Sequence, residues 1–100
     1  MVTIQDQAVA TDRLRRALLA FQAALNLLLD AERRLKGLPQ AEVDAFWDGQ
    51  GRRVEATVRA TATGAIAAFK RFSAAGLVAS AGDRHLVTQA QRHLAQEGAP

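Results

Sequence analysis

The chain is 100 residues long, 49% hydrophobic and formally +3 at pH 7, which implies one domain with a modest core of its own or a share in a core that a partner completes. Alanine accounts for 22 of the residues and only five side chains are aromatic, so the apolar content supplies helix propensity more than buried area. The lack of cysteine excludes a disulfide framework and thiolate metal sites. Arginine outnumbers lysine 11 to 2, a bias that fits GC-rich bacterial coding as well as it fits a functional basic surface.

Residues 1–10 carry neither the cationic start nor the apolar run of a secretory leader. The apolar run over residues 17–29 is broken by Gln22 and Asn26 and falls short of the ~20 residues a membrane span needs. The expectation is a chain made in the cytoplasm and not inserted into a membrane. Export, if it occurs, would need a route other than a cleaved leader.

In chain order, Thr3 or Thr11 can cap a first helix, and residues 1–10 are expected to be loose. Leu14, Leu18, Phe21, Leu25, Leu28 and Leu35 then follow in steps of three, four and seven, a helical stripe widened by Ala17, Ala24 and Leu29. Leu19 and Leu27 lie off that stripe. They read either as contacts to a second neighbour or as scattered exposed leucines. Lys36-Gly37-Leu38-Pro39 ends or kinks this helix, and Pro39 can open a short helical turn over residues 40–46 with Val43, Phe46 and Trp47 facing inward. A glycine-flanked turn at Gly49-Gln50-Gly51 follows, beside the only tryptophan.

A second long helix is expected from about residue 50 to residue 73, with Val54, Val58, Ala62, Ala65, Ile66, Phe69 and Phe72 inward. Ala56, Ala60, Gly64 and Ala68 form a line of small residues that would let another helix approach closely. Gly76 and Gly82 bracket a stretch where this helix frays or bends, and Ser80 or Asp83 can cap a last helix with Leu86, Val87, Ala90 and Leu94 on its apolar face. Residues 97–100 read as a loose end. The fold class is all-α, a single domain over residues 1–100: a helical hairpin of two long antiparallel helices, a short helix before the turn and a small C-terminal helix.

Trp47-Asp48-Gly49, followed by Gly51 and set between two amphipathic helices in a chain of this length, resembles the WXG100 family of proteins exported by the type VII secretion system. The resemblance covers residues 11–86 as a pattern. It implies a hairpin that dimerises into an antiparallel four-helix bundle, with Trp47 and Gly49 shaping the bend and contributing to a recognition surface. Two departures stand out: Pro39 interrupts the segment ahead of the motif, and the family's Tyr-x-x-x-Asp/Glu tail is missing, since the chain has no tyrosine.

Little in the sequence reads as reaction chemistry. His85 and His93, eight residues apart, lack the close i,i+4 spacing and the companions of a helical metal site, and read as solvated surface histidines. Gly49-Gln50-Gly51 ahead of Arg52 and Arg53 could cradle an anion, but no strand precedes it and the P-loop lysine is missing. No catalytic, cofactor-binding or metal-binding residue is expected. The expected function is a non-enzymatic protein–protein interaction module working as a homo- or heterodimer. Its faces would be Leu14, Leu18, Phe21, Leu25 and Leu28 on one helix and Val54, Val58, Phe69 and Phe72 on the other, with the bend at Trp47, Gly49 and Gly51. Two alternatives remain. One is a small phage or mobile-element inhibitor or adaptor, of the anti-CRISPR kind, docking on a larger complex. The other is nucleic-acid binding through basic residues such as Arg52, Arg53, Lys70 and Arg71, which should fall steeply with salt.

Overall fold

The structure, a computed structural model, describes residues 2–97 and contains four helices: α1 (Ile4–Leu35), α2 (Gln40–Asp48), α3 (Gln50–Ala74) and α4 (Ala81–Glu97). The two long helices run antiparallel, because the Gln7 side-chain amide at the start of α1 donates to the Ala75 carbonyl at the end of α3 at 3.1 Å. The body measures 57 × 26 × 21 Å, about the length of α1 plus its turn at ~1.5 Å per helical residue. No helix among the described residues is long and apolar enough to cross a membrane. Of the end expected to be loose, Glu97 still belongs to α4, and residues 98–100 lie outside the described residues.

The start of the chain is more ordered than its polarity implies. Thr3 closes a reciprocal cap: its hydroxyl accepts the Asp6 N–H and the Asp6 carboxylate accepts the Thr3 N–H, each at 3.0 Å. Residues 4–10 are therefore helical, and Ala10 is already buried. Thr11, the other candidate cap, lies inside α1 and returns its hydroxyl to the Gln7 carbonyl at 2.8 Å. The hydrogen bonds from Thr3 hold the Asp6 carboxyl below its ordinary 3.8.

The reversal between α1 and α3 takes two corners, at residues 36–39 and at Gly49. The first corner is a type II turn, with Lys36 at φ −60°, ψ 129°, Gly37 at φ 81° and the Leu38 N–H bonded to the Leu35 carbonyl at 3.2 Å. Pro39 then sits at the N-cap of α2, its carbonyl accepting the Glu42 and Val43 N–H groups. The second corner is the single residue Gly49 (φ −116°, ψ −96°). Trp47 is inside α2 and Gly51 inside α3, because one irregular residue breaks the helical ladder there where a loop was expected.

At the other end α3 stops in a Schellman motif. Gly76 adopts φ 79°, its N–H bonds Ser73, and the Leu77 N–H bonds the Phe72 carbonyl. Helix α3 ends there, rather than fraying into the Gly76–Gly82 stretch. Ser80 caps α4, accepting the Asp83 N–H on its hydroxyl at 3.1 Å.

One core joins α1, α3 and α4. Leu14, Leu18, Phe21 and Ala24 from α1 meet Val58, Ala62, Ala65, Ala68 and Phe72 from α3, with Val87 and Ala90 from α4. Leu25, Leu28, Ile66, Phe69, Leu86 and Leu94 are half-buried around it. The close approach to α3 runs through Ala62 and Ala65, both 0% exposed, and only Ala68 of the expected small-residue line joins them. Ala56 and Ala60 are exposed, and a Cβ on Gly64 would meet nothing within 4 Å. Leu19, Leu27 and Leu29 are exposed at 60%, 58% and 45%.

Phe21 is 0% exposed, so Phe21→Ala is expected to cost about 3–5 kcal/mol, read as a lower urea midpoint at unchanged slope. Gly64→Ala should instead stabilise by about 0.5–1 kcal/mol, since the position is helical and uncovered. A loss there would contradict the open surface. Because the Asp6 carboxyl is lowered in the folded state, its contribution is complete above the ordinary aspartate value of 3.8 and is lost as pH falls through the lower folded value. An NMR titration of the Asp6 carboxyl carbon checks this, and a midpoint at or above 3.8 would count against the cap.

Candidate functional site

Helix α4 packs mainly on one side of the α1/α3 hairpin. The hollow it borders is lined by Thr11, Arg15 and Leu18 of α1 together with Asp83 and Leu86 of α4. Residues two apart on a helix point to nearly opposite sides at 100° per residue. Val9 and Arg13 accordingly line a different hollow, with Val2, Arg71 and Ala74, which no α4 residue enters. A third hollow, near the turn, is lined by Leu27, Ala31, Leu35 and Leu38 with Phe46 and Val54, and it too is free of α4. These last two measure about 460 and 360 Å³. They are the two ends of one uncovered side of the hairpin.

This open face carries four of the large apolar side chains left exposed, although the most exposed ones, Ile4, Leu19 and Val78, do not line it. Val2, Val9, Leu27 and Leu38, between 43% and 58% exposed, all lie along it. Between its ends the relief is low, with Ala20 on α1 and Thr57, Ala60 and Gly64 on α3, all exposed. Near the turn, Val43, Phe46, Trp47 and Val54 are only half-buried, and α2 has no buried residue. The face is thus an apolar edge supplied by α1 against a small, polar edge supplied by α3.

The bend residues do come together, as a clasp between α2 and α3. The Trp47 ring lies over Gly51, one turn on, so closely that a Cβ there would collide with Trp47 Cε3 and come within 3.1 Å of Phe46 Cε1. Phe46 and Trp47 meet edge to face, ring centres 5.1 Å apart. The indole bridges the break at Gly49 and locks α2 against α3.

The other sequence candidates divide. Leu14, Leu18, Phe21, Val58 and Phe72 are core residues and offer no surface, while Leu25, Leu28, Val54 and Phe69 are half-buried. Arg52, Arg53, Lys70 and Arg71 are exposed. They form two pairs, Arg52 with Lys70 and Arg53 with Arg71, each 18 residues or five turns apart and so at one azimuth. Arg71 lines the open face at one end, whereas at the turn end α3 contributes Gln50 and Val54 and not Arg53. The histidines do not share a face: His85 is exposed, whereas His93 is half-buried with its ring 6.1 Å from Phe21. Among the described residues no three His, Asp or Glu side chains are grouped to hold a metal ion, and no buried charged or polar residue is present.

Sequence reading missed Val2, Val9 and Leu38 as surface. Val2 and Val9 fell in a segment taken for loose chain, and only the capped start of α1 puts them on a face. Leu27 was visible as an off-stripe leucine, but which neighbour it lacked depended on where α4 packs. Comparison with known protein families, characterised proteins and solved structures finds no match.

Gly51→Ala is expected to displace the indole and to destabilise by about 1–3 kcal/mol, as over-packing does. Trp47 is the sole tryptophan, so its fluorescence reports this site alone. Unchanged emission and stability would mean that the ring does not rest on the glycine.

Proposed function

We propose that this chain is a non-enzymatic helical protein–protein interaction module that works by burying the open α1/α3 face against helices of a partner. The observation that carries the proposal is the alignment of Val2, Val9, Leu27 and Leu38 on the one side of the hairpin that α4 leaves bare. Apolar side chains gathered on a contiguous surface mark interaction sites, whereas scattered ones carry no such meaning. The resemblance to WXG100 proteins through Trp47-Asp48-Gly49 supports a pairing partner of that general kind, homo- or heterodimeric, with the Trp47 clasp setting the shape of one end.

A second reading has its own support. In a symmetric four-helix bundle each hairpin needs its partner to complete a core, but here α4 fills that place over half the length and buries Val87 and Ala90 to 3% or less exposure. A chain that closes its own core can act as a stand-alone adaptor or inhibitor on a larger complex, as a phage or mobile-element protein of the anti-CRISPR kind would. Both readings use the same open face.

Light scattering after size-exclusion chromatography at micromolar concentration tests the proposal, on the chain alone and co-expressed with the protein encoded beside it. The expected result is a complex in one of the two settings. Leu27→Glu should return it to the single-chain mass of 10.7 kDa, with circular dichroism unchanged because Leu27 is 58% exposed. A folded chain that stays monomeric in both settings overturns the proposal.

A further inference from the structure

We infer that α2 is a latched flap, with a bent form in which the Trp47 ring rests on Gly51 and a second form in which α2 continues α3 as one straight helix. The core is built from α1, α3 and α4 with the segment before α4, and none of the nine residues of α2 is buried. Only Val43, Phe46 and Trp47 are half-buried there, while residues 36–42 are exposed throughout. A helix this short is marginal without tertiary support. Neither end has a side-chain cap, and the bond from the Gln40 amide to Asp44, at 2.8 Å, stays inside the helix. What holds α2 down is chiefly its two rings, Trp47 on Gly51 and Phe46 in the wall of the turn-end hollow.

The break itself favours release. It leaves the last carbonyls of α2 and the first N–H groups of α3 without their regular helical partners, and Gly49 has no side chain to bond them. A straight helix over residues 40–74 pairs these groups with one another. Gly49 has room for the change, since a Cβ there would meet only the Ala45 carbonyl, at an ordinary 3.6 Å. The corner before α2 permits it as well. Gln7 stands opposite Ala75, so residue 40 of a straight helix, 35 before Ala75, would be level with a point 35 residues after Gln7. That point is about seven residues, or ~10 Å, past Leu35. With helix axes ~8–10 Å apart the gap is about 14 Å, and five residue steps span up to ~17 Å. Straightening also undoes the latch. A helical side chain leans over the turn before its own, so the indole would swing toward Val43 and away from Gly51. Phe46 would leave the turn-end hollow and uncover Leu27, Leu35 and Val54.

The chain has no cysteine, so Ala41→Cys and Ala60→Cys, both at exposed positions, carry the only spin labels in a pulsed electron resonance measurement. On a straight helix the two positions, 19 residues apart, are separated by ~28 Å, and the bend brings them closer. The short distance should dominate in the original chain. Gly51→Ala should transfer population to the long one. Its Cβ collides with the ring in the bent form, whereas residues four apart on a straight helix accommodate both. Trp47→Ala removes the latch without adding bulk and should act in the same direction. Gly49→Ala should raise the straight-to-bent ratio about fivefold, through the helix preference of alanine over glycine. In each variant the amide NMR signals of Phe21, Ala62 and Val87 should stay in place. A distance unchanged across these variants overturns the inference. So does a broad distribution short of the straight value, which would mean that α2 unfolds instead of joining α3. Displaced core signals overturn it too, since α2 would then support the core. All of these readings are taken on the chain alone, so they stand apart from any failure of partner binding.

Discussion

The fold depends on how closely α1 and α3 can lie together, and alanine sets that distance. Ala24 on α1 and Ala62 and Ala65 on α3 are at most 3% exposed, and none projects beyond its Cβ. Larger side chains along this seam would push the helices apart. Phe21 fits fully buried beside the seam, with Phe72 further along. The aromatic rings supply the buried area that the alanines cannot. A chain with few large apolar residues thus obtains a core by concentrating them where two helices are already in close contact.

The same economy leaves the second side of the hairpin uncovered. Helix α4 has 17 residues and α1 has 32, so α4 can cover part of one side and none of the other. Leu27, Leu38, Val2 and Val9 are exposed because no element of this chain is left to lie on them. Four of the basic residues, Arg52, Arg53, Lys70 and Arg71, lie exposed at the two ends of α3. The bare side results from what the fold lacks the length to bury.

Three glycines fill two distinct physical roles. Gly37 and Gly76 take positive φ values of 81° and 79°, the backbone that a side chain disfavours, and each ends a long helix. Gly51 is helical, and is needed because the indole of Trp47 occupies the space a Cβ would take. The motif therefore has two structural parts here: Gly49 of Trp-x-Gly is the one-residue break, and the Trp47 ring over the bare backbone of Gly51, one turn later, fastens the two helices across it.

Much of the secondary structure could be read from the residues, since helix periodicity, Pro39, Ser80 and the stripe from Leu14 to Leu28 are local signals. The sequence determined the all-α class, the four helices, the inward faces of α1, α3 and α4, and the stop near Gly37. Only the tertiary structure decided that the reversal is shared between residues 36–39 and Gly49, that Thr3 and not Thr11 opens α1, and that Ala62 and Ala65 form the seam while Ala56 and Ala60 stay outside. It alone decided that α4 covers one side of the hairpin and leaves the other bare. The reason is that periodicity fixes which residues share a face of one helix, but which face meets a neighbour depends on the relative rotation of helices far apart in the chain, and no local spacing encodes that.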